Sequence, residues 1–311
     1  MQISNNIQEY KSDIIKIAYE SYMRELAHFD YLPIKPFEIF KQYMNDNMDG
    51  INGLVYLEEG MCTAYLLFQT WEEGAELFCR IPEWGYGSVS QKREKAIGYL
   101  FQTLAEHIVK DKTVNFSVHL YAHDTEMQRL FSHMEFGTQA ETGICRLEMA
   151  VDASEVRTRE LSKEELASRW KEIWPLLEQL INHLKMSPVF YPGEEFTEEV
   201  YKDFFADAGT RVFVAEEEDK IIGLIEANTD NIPLLFAEAE AANVGEAYVL
   251  PEYRGKGISQ ALLIHAKQEL VKSNYQYAWV EHGTANPNAR YFWNRHFSTY
   301  KYEMIRRIES K

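Results

Sequence analysis

The sequence predicts an α/β fold with a mixed sheet, present as two tandem copies. Apolar runs of strand length alternate with segments of helical period along the chain. A glycine-containing loop joins a predicted strand to a predicted helix near residue 255. The segments of the first half recur in the same order roughly 160 residues later, a period too long for a solenoid, so it indicates a duplicated domain.

Each copy contains helices followed by a hairpin. In the second half, residues 163–181 have a helical pattern in which Pro175 predicts a kink or a break. Two apolar runs around an acidic turn predict a hairpin at residues 212–225, and residues 54–67 have the same form. The predicted order in each copy is strand, helices, hairpin, strand, glycine loop with helix, strand, helix and strand.

The loop that follows the hairpin differs between the copies. Residues 250–260 have a counterpart at 81–91, but Gly85 stands at the position of Arg254 and Ser88 replaces a glycine. Both bases of the second loop are therefore missing from the first, and the provisions for binding a pyrophosphate are missing with them.

A strand and a helix complete both copies. The matched segments are 115–119 with 277–281, and 125–134 with 287–296. We therefore predict two domains, 1–150 and 151–311, with the boundary near residues 151–155.

Length and composition agree with a two-domain globular protein. The chain has 311 residues, of which 46% are hydrophobic and 26% charged. It has no long apolar run and no signal-peptide pattern at its start, so we expect a cytoplasmic protein without a membrane partner. Cys62, Cys79 and Cys145 lie far apart without C-x-x-C spacing, which predicts neither a zinc site nor a disulfide frame.

The net charge of −17 is shared by both halves. Nucleic acid is a poor partner for such a surface, because binding it requires basic patches. A cationic small molecule or an amine would be attracted, although solubility alone also explains the charge.

Residues 248–259 are the most informative segment. An apolar run ends at a proline, a basic loop follows, and an apolar-periodic helix begins. Gly255 and Gly257 have no Cβ, so their N–H groups can approach a ligand closely. Successive amides at a helix N-terminus, with Arg254 and Lys256 beside them, are suited to a pyrophosphate.

This loop resembles the acyl-CoA signature of the GNAT superfamily of N-acetyltransferases, Q/R-x-x-G-x-G/A. Arg254 and Gly257 match the signature, and Ser259 stands where glycine or alanine is commoner. The resemblance implies two tandem acyl-CoA N-acyltransferase folds: a second domain that binds acetyl-CoA, and a degenerate first domain that no longer binds it through its loop. The family's strands around the cofactor splay apart after a bulge, which exposes backbone groups.

A second segment supports the resemblance. Asn286 suits a helix N-cap with Pro287 at the first helical position. In GNAT domains a helix that begins N-x-x-A lies beside the pantetheine arm, and Asn286 and Ala289 have that spacing. The residues that the resemblance implies for acetyl-CoA are Tyr248, Val249, Leu250, Arg254, Gly255, Lys256, Gly257, Ile258, Ser259, Asn286 and Ala289.

Amine acetylation requires a base, because an ammonium group has no lone pair for attack. Glu246 lies two residues before Tyr248 and shares its strand face, and GNAT enzymes often carry a glutamate on this strand. Glu281 and His282 at the end of the next strand, and Glu226 at the end of the hairpin, are competing candidates.

The leaving thiolate needs a proton or a stabilising donor. Many GNAT enzymes use a tyrosine in the last helix, but Trp293 stands at that position, and an indole N–H is no practical acid. Tyr291, two residues before Trp293, is therefore our candidate for the proton donor, and Tyr300 and Tyr302 lie nearby in the sequence. Water remains an alternative.

The sequence thus predicts an N-acetyltransferase that moves an acetyl group from acetyl-CoA to a primary amine, without a metal, as a monomer or homodimer. Direct attack in a ternary complex is favoured, since no cysteine lies in or beside the loop. The alternative is a non-catalytic acyl-CoA sensor. Arg254→Glu should weaken acetyl-CoA binding strongly, and Gly85→Arg should have little effect.

Overall fold

The acidic turns between apolar runs form two-residue hairpin turns with left-handed backbone. Glu59 and Gly60 have φ angles of 52° and 82°, and Glu218 and Asp219 have φ angles of 49° and 63°. Such turns match the twist of paired antiparallel strands, which is why they join hairpins. Both predicted hairpins are confirmed.

The computed structural model describes residues 2–149, 156–191, 196–229 and 241–310. The chain divides into two compact units. The first contains the chain up to Glu141 and again from Thr299 onward, and the second contains Thr142–Ser298. The predicted linker at residues 151–155 lies outside the described residues, and the predicted boundary at 150/151 stays a prediction.

The first unit has helices around one sheet. Its elements are β1 (Gln2–Ser4), α1 (Lys11–Leu26), α2 (Phe37–Asn47), β2 (Asn52–Glu58), β3 (Met61–Glu73), β4 (Glu76–Ile81), β5 (Tyr86–Ser88), α3 (Arg93–Ile108), β6 (Val114–Tyr121), α4 (Thr125–His133) and the start of β7 (Gly137–Arg146). The strand order is β1-β2-β3-β4-β6, and β5 pairs with β3. β4 and β6 are parallel, and their neighbours β2 and β3 are antiparallel.

The second unit begins within β7 and repeats this order. Its elements are β8 (Thr158–Leu161), α5 (Lys163–Ser168), α6 (Trp170–Lys185), α7 (Glu198–Ala206), β9 (Arg211–Glu217), β10 (Lys220–Asn228), β11 (Ala241–Val249), α8 (Ile258–Lys272), β12 (Tyr277–Gly283) and α9 (Pro287–Trp293). The strand order is β7-β12-β11-β10-β9-β8.

The last strand, β13 (Ser298–Ile308), belongs almost entirely to the first unit. It pairs antiparallel with β6 over eight register positions, from Val114↔Ile308 to Tyr121↔Lys301. In the second unit, the end of β7 lies beside β12, and the N–H of Leu147 donates to the Gln276 carbonyl at 2.8 Å. The final strand of the second sequence repeat thus belongs to the first unit, and the final strand of the first repeat, β7, is divided at residue 141/142.

Each unit has its own apolar core. In the first, Phe101 contacts Phe116 at a centroid distance of 5.2 Å and Phe136 at 5.3 Å, which seats α3 on the sheet. In the second, buried residues of α6 and α8 belong to one cluster with β9 and β10. These aromatic and aliphatic contacts fix the sheets that carry the loops described below.

The predicted helix at residues 163–181 is two helices. The break falls at Arg169, after a capping box in which Ser162 and Glu165 close the start of α5. Pro175 lies inside α6, which continues to Lys185. Among the described residues, no helix combines the length and the apolar character that crossing a membrane requires.

Candidate active site

The second unit contains a strand edge that its parallel neighbour leaves open. β11 pairs with β12 from Ala241↔Tyr277 to Asn243↔Trp279, where the described pairing ends. β11 then continues to Val249, held on its other side by β10. An unpaired edge presents N–H and C=O groups that an extended ligand can bind like an added strand.

A bulge begins where the strands separate. The register between β10 and β11 shifts between Ile225 and Ala227, which leaves Glu226 opposite two residues of β11. The Glu226 carboxylate accepts the Glu246 N–H at 3.2 Å and the Asn228 side-chain amide at 2.6 Å. The bulge that the family resemblance implies is confirmed. At the bulge, the buried carboxylate of Glu226 accepts a hydrogen bond from the backbone N–H of Glu246.

The pairing with β10 decides which backbone groups face the open side. The Leu250 N–H donates to the Ile222 carbonyl at 3.0 Å, so it points towards β10. The backbone N–H and C=O groups of successive residues in a strand point alternately to its two neighbours. The backbone groups of Tyr248 therefore also point towards β10, and those of Val249 and Ala247 point to the open side. Of the three backbone contacts that the resemblance implies, only the N–H of Val249 lies on the open side, and that of Leu250 is already used.

The glycine loop at the end of this strand is open to ligand approach. A single 3₁₀ turn, Pro251–Tyr253, leads into it. Gly255 and Gly257 have φ angles of 77° and 78°, and a Cβ built on either would meet nothing within 4 Å. Gly257 is the N-cap of α8, whose first N–H groups have no intrahelical acceptors. This is the local structure that favours an anion.

Basic side chains surround the loop. The Nε of Arg254 donates to the Val249 carbonyl at 3.0 Å, and its guanidinium lies 5.2 Å from the Tyr248 ring centroid. The Lys256 ammonium lies 4.8 Å from the ring of Tyr253. Arg254 is therefore held at the junction of strand and loop, where it remains exposed.

A side cavity of about 180 Å³ adjoins the loop. Arg254, Gly257 and Ser259 line it together with Arg295 and His296, which follow α9. Burial, and then the nearby charges of Lys267 and Arg295, lower the pKa of His296. The cavity is thus positive through its arginines, with a neutral imidazole near pH 7.

The main cleft has a volume of about 730 Å³ and follows the open edge. Most of the residues predicted to form the site line either this cleft or the side cavity. The two exceptions among the predicted acetyl-CoA residues are Lys256, which is exposed, and Leu250, which is buried. The predicted residues lining the two spaces are Glu246, Tyr248, Val249, Arg254, Gly255, Gly257, Ile258, Ser259, Glu281, Asn286 and Ala289.

Three carboxylates line the cleft and differ in their surroundings. Glu226 is 1% exposed and engaged at the bulge. Glu281 is exposed and accepts a hydrogen bond from the Thr142 hydroxyl at 3.2 Å. Glu246 is partly buried, and its Oε1 accepts a hydrogen bond from the Tyr201 hydroxyl at 3.1 Å.

The acidity of Glu246 is perturbed by its surroundings. Burial raises its pKa above the ordinary value, and the hydrogen bond from Tyr201 opposes that rise. A carboxylate with a raised pKa is a stronger base, as proton abstraction near neutral pH requires.

Asn286 caps α9 as predicted. Its side-chain oxygen accepts the N–H groups of Asn288 at 3.2 Å and Ala289 at 3.3 Å. Its amide nitrogen lies 3.2 Å from Nε2 of His183, a cleft residue of α6 that the sequence did not indicate. The cap therefore orients one wall of the cleft.

The predicted acid is not brought together with these groups. Tyr291 is 70% exposed and lies under the Arg295 guanidinium at 5.6 Å, whereas Trp293 is 7% exposed and lines the cleft. Tyr300 and Tyr302 lie on β13, in the first unit. The phenol of Tyr248, 8% exposed and 3.4 Å from the Gln179 side chain, is a cleft hydroxyl whose role the sequence did not indicate.

Comparisons with known proteins agree with this geometry. Residues 177–297 match the model of the Acetyltransferase (GNAT) family. Residues 177–297 are therefore similar to a GNAT acetyltransferase domain, and this family generally uses acetyl-CoA. A search of curated proteins gave no match.

Solved structures show the same fold. A GCN5-related N-acetyltransferase from Sphaerobacter thermophilus is similar at 12% identity and a TM-score of 0.55, over 87% of this chain and 86% of that one. A GCN5-related glucosamine N-acetyltransferase region of a fungal multi-domain GH3 β-N-acetylglucosaminidase is similar at 12% identity and a TM-score of 0.52, over 99% of this chain and 38% of that one. A tandem GNAT protein from the clavulanic acid biosynthesis pathway matches at 13% identity and a TM-score of 0.46, over 100% and 98%. The family match and the two structures with TM-scores of 0.55 and 0.52 confirm the predicted fold class, with two tandem GNAT folds.

Proposed function

We propose that the second unit transfers an acetyl group from acetyl-CoA to a primary amine of a small cationic molecule, by direct attack in a ternary complex. The observation that carries the proposal is the open edge of β11, which leads directly into a basic glycine loop at a helix start. An extended arm with an amide backbone and a terminal diphosphate fits such an edge and loop.

The residues present fit acetyl-CoA in three places. The backbone of Ala247 and Val249 would accept the pantetheine arm, and the space over Gly255 and Gly257 would admit the diphosphate against the first amides of α8. Arg254 would add charge-assisted hydrogen bonds. The co-substrate supplies an activated acyl group, and the protein supplies position and charge.

Glu246 would act as the base. It lies beside the bulge, on the cleft wall, and burial raises its pKa towards the pH at which an ammonium must be deprotonated. The Val249 N–H, which faces the open side, would stabilise negative charge on the acyl oxygen during attack. Neither role needs a covalent intermediate.

Direct transfer is supported by the burial of the cysteine in this unit. Cys145 is 9% exposed, and burial raises the pKa of its thiol. A buried thiol with a raised pKa is a poor nucleophile.

A cationic acceptor is supported by the lining of the cleft. Glu226, Glu246 and Glu281 lie along it with the indole of Trp279, and Arg254 stands at the cofactor end. Carboxylates attract an ammonium group, and an aromatic face stabilises it further.

The alternative function is an acyl-CoA-binding module without catalysis. One observation favours it: the tyrosine nearest the family's acid position, Tyr291, is exposed outside the cleft lining, and a tryptophan stands inside. A module of this kind would bind the co-substrate and acylate nothing.

Thiol release from acetyl-CoA, followed with a panel of primary amines, separates the two functions. We expect transfer to at least one cationic amine, and a loss of about 100-fold or more in kcat/KM for Glu246→Gln, the usual size of general-base catalysis. Acetyl-CoA affinity should be unchanged in that variant. Glu199→Gln, which neutralises an exposed carboxylate of α7, is the matched control and should behave as the parent. Tight acetyl-CoA binding without transfer to any amine would establish the module instead.

A further inference from the structure

A buried phenol approaches the proposed base from a helix far away in sequence. Tyr201 of α7 is 4% exposed, and its hydroxyl donates to Oε1 of Glu246 at 3.1 Å. The contact joins the helix before the hairpin to the bulged strand. No sequence motif indicates this pairing.

The ring of Tyr201 is held firmly by aromatic neighbours. Its centroid lies 5.9 Å from that of Phe196, 6.2 Å from that of Trp174 and 6.2 Å from that of Phe205. Edge and tilted contacts of this kind fix a ring's orientation as well as burying it. The hydroxyl is therefore presented in one direction, towards β11.

The helix that carries Tyr201 is itself anchored. The Thr197 hydroxyl caps its start by accepting the Val200 N–H at 3.4 Å. The indole N–H of Trp170, on α6, donates to the Glu198 carboxylate at 2.9 Å. Position 201 is thus set by the cap of its own helix and by a contact from α6.

We propose that Tyr201 is a positioning residue: it holds one carboxylate oxygen of Glu246 so that the other is left to take the proton of the acceptor amine. This inference rests on the proposed function, because it assigns the geometry of that function's base. A carboxylate held by one donor loses rotamer freedom before the substrate arrives, which lowers the entropy cost of a productive approach.

The surroundings of Tyr201 keep its hydroxyl protonated, so that it remains a hydrogen-bond donor to Glu246. Burial, and after it the charge of Glu246, raises the pKa of Tyr201, so the phenol keeps its proton and remains a donor. For Glu246, burial raises the pKa and the Tyr201 hydrogen bond lowers it. Other titratable groups on the same cleft are Glu226 of β10, His183 of α6, and Glu281 and His282 of β12.

Removing the hydroxyl should therefore move the acid limb of the pH profile. In Tyr201→Phe, we expect the limb of kcat/KM for the amine to shift to higher pH by about one unit, the size of a hydrogen bond to a charged group. Above that limb, activity should recover to within about threefold of the parent, with unchanged KM for acetyl-CoA.

The matched control is Tyr22→Phe. Tyr22 is a fully buried tyrosine of α1, and its hydroxyl accepts the Lys35 N–H at 3.2 Å, so this variant also deletes one buried hydroxyl. We expect it to change thermal stability without moving the pH profile.

A shape-conserving replacement keeps the proposal testable if the phenylalanine variant folds poorly. Site-specific 3-fluorotyrosine in place of Tyr201 is a more acidic phenol and a stronger donor. It should move the acid limb to lower pH, the opposite direction. In the Glu246→Gln background, Tyr201→Phe should produce no further shift.

The outcomes distinguish this inference from the proposed function. If folded Tyr201→Phe loses activity equally at every pH, or if its acid limb does not move, the positioning role is overturned. Tyr201 would then contribute only to packing. Full activity of Glu246→Gln would instead overturn the assignment of the base, and with it the function as proposed. Opposite shifts with the two replacements support the positioning role.

Discussion

The two units differ most at the same place in the fold, the pair of parallel strands that precedes and follows the glycine loop. In the first unit, β4 pairs with β6 from Leu77↔Val114 to Ile81↔Val118, up to the last residue of β4. In the second, described pairing ends at Asn243↔Trp279, and β11 continues to Val249. The edge of β11 is open in the second unit because the described pairing with β12 stops early, whereas in the first unit β4 stays paired with β6 to its last residue.

The glycines of the two loops have different structural roles. In the first unit the loop becomes β5 and pairs with β3, and the Leu67 N–H donates to the Gly85 carbonyl at 2.6 Å. A Cβ on Gly85 would lie 2.6 Å from Cδ of Pro82 and 2.8 Å from the carbonyl of Leu67. Gly85 therefore permits close packing, whereas Gly255 and Gly257 leave space for a ligand.

Aligned glutamates show the same contrast. Glu252 is exposed beside the open loop, whereas its counterpart Glu83 is 7% exposed. The Glu83 carboxylate lies 3.8 Å from the Lys301 ammonium and 3.9 Å from Nδ1 of His119. Burial works to raise the pKa of Glu83, but Lys301 and His119 outweigh it and hold the pKa below its ordinary value. In the first unit an internal ion pair fills this region.

Charge reversal at the two helix starts should give the largest difference. Arg254→Glu removes a charge-assisted contact and adds repulsion, so we expect acetyl-CoA to bind about 100-fold more weakly, as the loss of roughly 3 kcal/mol implies. Lys92→Glu makes the same reversal at the exposed N-cap of α3 in the first unit. It should change affinity by less than about twofold. Calorimetric titration measures both, and equal losses would show that the first unit also binds the co-substrate.

Alanine at matched glycines should separate ligand binding from packing. Gly257→Ala places a side chain at a φ of 78°, beside the proposed diphosphate site, and should weaken acetyl-CoA binding by about tenfold. Gly85→Ala should leave affinity unchanged but lower the free energy of unfolding by about 1–3 kcal/mol through overpacking. Titration and chemical denaturation together test the pair. The same crowding means that Gly85→Arg should destabilise the first unit, whereas the expectation that it has little effect on acetyl-CoA binding stays a prediction.

Neutralising Glu246 and Glu83 should give smaller effects of opposite sign. The folded-state pKa of Glu246 is raised, so its ionisation costs stability as pH rises through that pKa, and Glu246→Gln should stabilise the protein near pH 7 by about 1 kcal/mol. The folded-state pKa of Glu83 is lowered, so its stabilisation is present above the unfolded-state pKa and is lost as pH falls through the folded-state value. Glu83→Gln should therefore destabilise by about 1 kcal/mol near pH 7 and by less in acid. Thermal unfolding between pH 4 and 8 checks both signs.

Much of the site was predictable because its signals are local. Positive φ angles at Gly255 and Gly257, the cap at Asn286 and the hairpin turns depend on a few consecutive residues, whose conformational preferences are visible in the sequence. Glu246, chosen for its spacing from the loop, lines the cleft, and its role as base stays a prediction. Tyr291 was misplaced relative to the cleft because a rotation around a short helix decides whether a side chain faces in or out.

The sequence by itself predicted a duplicated α/β fold, with a basic glycine loop in the second copy and a counterpart in the first copy that lacks both basic residues. Tertiary structure alone decided that β11 separates from β12 while β4 stays paired with β6, that the last strand joins the first unit, and that Tyr201 reaches Glu246. Strand register and helix docking depend on contacts between residues far apart in the chain, and no local preference encodes which distant partners meet.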